Sequence, residues 1–407
     1  MFAALGLRNY RLFAVGMLVT NFGTWVQRIA QDWLVLELTH YDPVALGVAG
    51  TLQFAPTVAF SLWAGVLADR HDKRRILLVV QSGVAACSLL MCALDVSGVV
   101  TLWQVYVLCL LLGVVSAFDQ PVRTAYVAEM VGKEHLANAV ALNQSSFNLA
   151  RIVGPAVAGV LIVWIGTGWV FLVAGLSTAT VLVSLLRIDA VPPGAARGPV
   201  RLGEGLRYVR AHGEVLTLMV MVFFVSLFAI NFYTTLPVIA ATVFHRQADG
   251  YGTLFTLLAV GTLAGSLLAA RRSARHTPGP RFLILAAAGF GLAEAVAGVM
   301  PNYLTCGLVL ILVGVGFMTF MPTASTIVQL SVEPGMRGRV MGLYTLIFLG
   351  TNPIGAPLTG WVANSLGGRA PLVLGGALTT ATAVVCGFFL LRRKTAAAQP
   401  ATATVSG

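Results

Sequence analysis

The sequence predicts an all-α membrane protein with twelve transmembrane helices in two six-helix pseudo-repeats. Three observations carry this prediction. The chain is 57% hydrophobic and only 10% charged, whereas soluble domains carry about 25% charged residues. Apolar windows of about 20 residues, enough to cross a bilayer core as a helix, recur twelve times along its 407 residues. The two halves also align without a gap at an offset of 201, which places Gly113 on Gly314, Pro121 on Pro322, Gly154 on Gly355, Gly159 on Gly360 and Gly166 on Gly367. Matches between apolar residues arise by chance, but coincident Gly and Pro mark shared backbone demands.

In chain order, the predicted spans are 12–37, 44–68, 76–97, 100–129, 138–163, 168–187, 214–242, 250–270, 282–299, 303–330, 340–363 and 371–391. The first follows Arg8 and Arg11 but is too long for a secretory signal and lacks a small-residue cleavage site. With the N-terminus placed in the cytoplasm, 22 of the 26 Lys and Arg residues fall on that side. Only Arg246 and Arg369 fall outside, and Arg28 and Arg151 lie within spans. The positive-inside rule therefore puts both termini in the cytoplasm. The organisation expected is a six-helix bundle over 1–187, a cytoplasmic linker over 188–213, a second six-helix bundle over 214–394 and a disordered tail over 395–407. In the linker, Leu202, Leu206 and Val209 recur at helical spacing among arginines. A basic amphipathic helix on the inner leaflet fits that pattern, as does a solvated linker.

Several function classes are excluded. The net charge of +11 sits in short gaps between apolar runs, unlike the concentrated basic face of a nucleic-acid binder. No phosphate-binding loop of the Gly-x-x-x-x-Gly-Lys-Ser/Thr type occurs, so ATP-driven pumping by this chain is not expected. The five cysteines and six histidines lack metal-ligand spacing. Neither a cofactor nor a metal is expected, nor an enzymatic activity.

The loop between the second and third spans stands out: seven charged or titratable residues run from Asp69 to Arg75. The stretch Gly65-Val66-Leu67-Ala68-Asp69-Arg70-His71-Asp72-Lys73-Arg74 resembles the signature loop of the major facilitator superfamily, Gly-x-Leu-Ala-Asp-Arg-x-Gly-Arg-Arg. It departs at Asp72, where the family has glycine. The resemblance implies a parallel repeat of six helices, with a transport path between the halves, and a conformational-switch role for Gly65, Asp69, Arg70, Lys73 and Arg74. In the second copy Ala270 stands at the position of Asp69.

Within the spans, polar residues mark candidate sites, because an intramembrane charge faces a cavity or a partner. Asn21, Thr24, Arg28, Gln31 and Asp32 lie on one face of the first helix. Arg28 and Asp32 can also simply neutralise each other at i, i+4. Asp32 resembles by position the proton-linked carboxylates of drug/proton antiporters in the superfamily. The fifth span carries Asn143, Gln144, Asn148 and Arg151. Arg151 calls for a counter-charge, with Asp119 the nearest carboxylate by depth and a substrate anion the alternative. Gly154-Pro155-x-x-x-Gly159 resembles the fifth-helix motif of the superfamily's exporters, with Ala150 replacing an earlier glycine; a structural kink is the plainer reading. Gln53, Asn231, Tyr233, Gln329, Asn352 and Glu294 are weaker candidates, with Glu294 read as structural.

The segments Leu7–Phe13 and Gly23–Val35 resemble the bacterial branch that includes siderophore exporters of the enterobactin type and multidrug exporters. The resemblance implies a monomeric, multi-pass secondary transporter of the bacterial inner membrane, exchanging a small organic molecule for protons by alternating access. A nutrient importer of the same fold is the alternative, and a non-transporting membrane sensor or scaffold is the alternative from a different class.

Overall fold

The computed structural model describes residues 3–189, 202–273 and 278–398. Residues 190–201 of the expected linker and 399–407 of the expected tail lie outside the described residues, as do the surroundings of Gly65 and the side chain of Asp69. Among the described residues the chain is helical throughout and contains no strand. In a bilayer this follows from backbone accounting, since a helix satisfies its own N–H and C=O groups where no water can.

The helices are α1 (Arg8–Leu38), α2 (Pro43–Arg70), α3 (Lys73–Val96), α4 (Leu102–Arg187), α5 (Leu202–Ala211), α6 (Gly213–Ala229), α7 (Phe232–Val238), α8 (Ala248–Ser273), α9 (Pro280–Val299), α10 (Tyr303–Leu330), α11 (Arg337–Gly350), α12 (Asn352–Leu366) and α13 (Ala370–Ala398). The 86-residue α4 turns sharply at Gly132 (φ 66°) and Gly166 (φ 80°) and so supplies three spans. Helices α6 and α7, with the π turn Ile239–Val243, form one broken span, and α11 and α12 form another, interrupted at Thr351. The polar stripe of α1 lowers its hydropathy, but with α1 included the described residues make twelve spans.

Local chemistry sets the boundaries. Asp42 caps α2, accepting from Val44 N at 2.8 Å with Pro43 in the first turn. Asp72 caps α3, accepting from the amides of Arg74 (2.9 Å) and Arg75 (3.3 Å). The aspartate that departs from the superfamily loop is thus a helix cap. Asn302 caps α10 through Thr305 N at 2.9 Å, and Thr101 with Gln104 forms a capping box on α4. Gly166 and Gly367, paired by the 201-residue offset, both have positive φ, at 80° and 93°. Both need a backbone conformation that only glycine adopts freely.

Contacts divide the chain into two compact units. The first comprises residues 1–199 with Phe232–Ala259 and Asn352–Gly368. In it α1, α2 and α3 pack along α4, and the Tyr10 hydroxyl donates to the Ala139 carbonyl at 2.9 Å. Two seams in this unit bring glycines directly against backbone, each also crossed by a threonine hydroxyl: Thr256 donates to the Ile152 carbonyl at 3.0 Å and Thr51 to the Pro353 carbonyl at 2.9 Å. Between α4 and α8, a methyl at Gly159 would stand 2.6 Å from the Ala248 carbonyl oxygen, and Gly252 abuts the Pro155 carbonyl. Between α2 and α12, a methyl at Gly47 would stand 2.7 Å from the Ala356 carbonyl oxygen, and Gly360 abuts the Pro43 carbonyl. The offset carries Gly159 to Gly360, Pro155 to Ala356 and Gly47 to Ala248, so the seams are images of each other.

The second unit comprises residues 200–231, 260–351 and 369–407. Its α9 and α13 approach closely at Gly291 and Gly376. The linker helix α5 docks on α11: Val209 is buried, Glu204 pairs with Arg339 at 3.0 Å, and the Glu333 amide donates to the Tyr208 hydroxyl at 3.4 Å. Arg207 and Arg210 remain exposed.

Candidate functional site

In α1 the polar stripe does face an interior space. A cavity of about 250 Å³ is lined by Asn21, Thr24, Arg28 and Gln31 from α1, Gln53, Phe54 and Thr57 from α2, Gln81 from α3, Asp119 and Arg123 from α4, and Tyr233 from α7. A neighbouring cavity of about 420 Å³ shares Met17, Asn21, Arg123 and Phe147 and adds Gln120, Asn143 and Gln144. All of these residues belong to the first unit.

Asp32 sits behind the cavity wall, 2% exposed. Its Oδ2 accepts from Arg28 Nε at 3.3 Å and from the Tyr251 hydroxyl at 2.9 Å. The Arg28 guanidinium donates to Gln53 Oε1, which also accepts from Gln31 Nε2 at 3.0 Å. Two rings flank it, Tyr233 at 4.5 Å and Phe54 at 5.0 Å from the guanidinium carbon, an arrangement that stabilises a cation. Arg28 and Asp32 do pair, as their i, i+4 spacing allows, yet they pair inside a wider network, with Arg28 at the cavity and Asp32 bound by Tyr251 of α8.

A second ion pair lies on the same cavity. Asp119 accepts from Arg123 Nη2 at 3.2 Å and from Gln81 Nε2 at 2.8 Å. The carboxylate expected opposite Arg151 is therefore engaged by Arg123, one turn away on its own helix. Arg151 and Asn148 are half-buried on α4 and line neither cavity. Around these charges the wall is built of amides and aromatic rings. Two of its polar atoms, Trp25 Nε1 and Gln31 Oε1, are buried without a hydrogen-bond partner among the described residues. Buried polar groups are seldom left so, and a bound molecule could use both.

Other expected residues act in packing. Gly154 lies against Trp25, where a methyl would stand 2.7 Å from its Cβ, and Pro155 and Gly159 form the α4 side of the seam with α8. At the junction of α2 and α3, Lys73 Nζ pairs with Glu129 Oε1 at 2.7 Å, with both side chains about nine-tenths buried (9% and 11% exposed). Arg74 Nη2 donates to the Leu186 carbonyl at 2.9 Å. The loop is thus tied to two points of α4, while Arg70 is exposed. Sequence reasoning passed over Tyr251, Phe54, Trp25 and Gln81. Aromatic residues in apolar spans look like ordinary core, and nothing local points from Tyr251 to a partner 219 residues away.

Comparison with known proteins agrees with the fold. The family model described as a transmembrane secretion effector matches residues 1–406. The staphyloferrin A transporter of Staphylococcus aureus is 24% identical over 377 residues, covering 91% of this chain and 93% of its own. The enterobactin exporter of Citrobacter koseri is 24% identical over 331 residues, covering 80% and 78%. A crystal structure of a POT family transporter in complex with 5-aminolevulinic acid superimposes with a TM-score of 0.75 at 11% identity, over 95% of this chain and 96% of that one. With twelve spans, repeat-related glycines and a family match along nearly its whole length, the chain belongs to the transmembrane secretion effector family of major facilitator superfamily transporters.

Proposed function

We propose that this transporter exports a small organic molecule, a siderophore or drug-like compound, in exchange for protons. The observation that carries this reading is Asp32, a buried carboxylate held by Arg28 and Tyr251 behind an amide-lined cavity. Protonating Asp32 removes the charge that Arg28 pairs with and weakens the acceptor that Tyr251 uses. Arg28 then loses the partner that fixes it on the cavity wall, and α8 loses a polar tie to α1. A wall whose guanidinium and amides are held in place while Asp32 is ionised binds substrate in the deprotonated state and releases it on protonation, the negative linkage that exchange requires.

The cavity walls suit a molecule with both rings and hydrogen-bonding groups: Trp25, Phe54, Phe147 and Tyr233 offer faces, and Asn21, Gln31, Gln53 and Gln81 offer amides. The two ion pairs balance in charge, so no large net charge on the substrate is called for. Outward direction is supported by the similarity to the enterobactin exporter. On the positive-inside reading both termini are cytoplasmic and the chain works as a monomer in the bacterial inner membrane. The two backbone seams then lie toward the outside.

The test is efflux from proteoliposomes with an imposed pH gradient. Asp32→Asn should abolish gradient-driven efflux while leaving substrate binding and substrate–substrate exchange measurable. A variant that still concentrates substrate on the proton gradient alone would make Asp32 a structural partner of Arg28 and reject the coupling assigned to it.

A further inference from the structure

In the second unit, Glu294 lies within α9 and is 3% exposed. Among the described residues its Oε2 has no hydrogen-bond partner. Its other oxygen lies beside Gly375 of α13, where a methyl would stand 3.3 Å from Glu294 Oε1 and 2.6 Å from the Phe228 carbonyl oxygen of α6. Three helices thus meet at a position kept clear of any side chain, with a carboxyl oxygen and a carbonyl oxygen converging on it. One turn along α13, Thr379 is fully buried and its hydroxyl is unpartnered; Ser226 of α6 is buried and unpartnered as well. Hydroxyls in membrane helices ordinarily return to a carbonyl one turn back, as Thr380 does to Gly376 at 2.9 Å.

Among the described residues no counter-charge pairs with Glu294. Arg369, at the head of α13, donates to the carbonyls of Gly298 and Met300 at 3.2 Å and 2.5 Å. The other titratable groups on the packed elements are Glu214 in the first turn of α6, Arg281 in the first turn of α9, Tyr303 and Cys306 on α10, and Cys386 on α13, together with Arg392, Arg393 and Lys394 near the end of α13, whose side chains lie outside the described residues. None forms a hydrogen bond or ion pair with Glu294 among the described residues. An isolated carboxylate at such a place is strongly disfavoured, whereas the acid is neutral and brings an O–H donor to a junction rich in acceptors.

We propose that Glu294 is an exchangeable proton site of the second unit, whose occupancy sets how closely α6 and α13 pack at Gly375. The site is independent of the role given to Asp32. Taking up a proton from water gives the neutral acid, and releasing it leaves a carboxylate that must find water by loosening the junction.

The test is infrared difference spectroscopy of the full chain in lipid nanodiscs through a pH titration. The wild-type protein should show a protonated-carboxyl carbonyl band that shifts in heavy water and is lost as pH rises. That band should be absent in Glu294→Gln, unchanged in Asp32→Asn and shifted in frequency in Thr379→Val. Proton release on alkalinisation should fall by one per chain in Glu294→Gln. Because Gln mimics the neutral acid, this variant should fold normally. The absence of any band assignable to Glu294 would overturn the proposal, as would a band that does not change across the titration.

Discussion

The Tyr251 hydroxyl donates to Asp32 at 2.9 Å, joining the first turn of α8 to α1 across 219 residues of sequence. A hydrogen bond to a charged acceptor contributes about 1.5–3 kcal/mol. Tyr251→Phe keeps the ring, which packs against Phe255, and removes only that donor. Protonation of Asp32 then no longer has to displace it, so the pH of half-maximal efflux should rise while the KM for substrate stays close to wild type. An unchanged pH profile would show that the bond does not participate in coupling.

The seam between α4 and α8 should be sensitive to a single methyl group. At Gly159 the added carbon would stand 2.6 Å from the Ala248 carbonyl oxygen, and backbone there cannot step aside. Gly159→Ala should enlarge the separated population in spin-label distance measurements between α4 and α8, and Gly360→Ala should do the same between α2 and α12. Gly289→Ala, where nothing lies within 4 Å, is the control and should leave both distances alone.

Lys73 and Glu129 form a pair that is about nine-tenths buried. Removing one partner of a buried pair costs about 3–5 kcal/mol. Lys73→Met and Glu129→Gln should each lower the unfolding temperature in detergent markedly, and the double variant should recover part of the loss. Strictly additive losses would show that the two side chains do not stabilise each other.

Asp119 should couple to Arg123 and not to Arg151. A double-mutant cycle on efflux with Asp119→Asn and Arg123→Gln should give an interaction energy of about 0.5–3 kcal/mol. The same cycle with Arg151→Gln should stay near additivity. Reversal of the two results would restore Arg151 as the partner.

The sequence carried the spans, the repeat and the α1 stripe because each depends on local spacing. Asn21, Thr24, Arg28 and Gln31 follow helical periodicity, and the structure puts all four on the cavity. Depth estimates were less informative. They set Arg151 against Asp119, although Arg123 stands at i+4 from Asp119 and its reach was already plain in the spacing. Asp72 likewise had a legible meaning as a cap before Arg74 and Arg75, which matching against the superfamily loop concealed. Tyr251 could not be read at all, and Gln53 was legible only as a polar residue within a span, because their partners are set by how helices distant in the chain are packed.

The two glycine seams also bear on speed. Where α4 meets α8 and α2 meets α12, the closest approaches are between carbonyl oxygens and bare α-carbons. Apart from the hydroxyls of Thr51 and Thr256, which donate across the seams to the Pro353 and Ile152 carbonyls, surfaces of this kind have few rotamers to reset, so they can part and rejoin with little activation barrier of their own. The tempo of such a machine would be governed by its few polar ties, Tyr251 to Asp32 among them, rather than by the area of contact. The same economy makes the seams intolerant of any larger residue, so that changes in what the molecule carries must be written into the cavity wall while the moving surfaces stay bare.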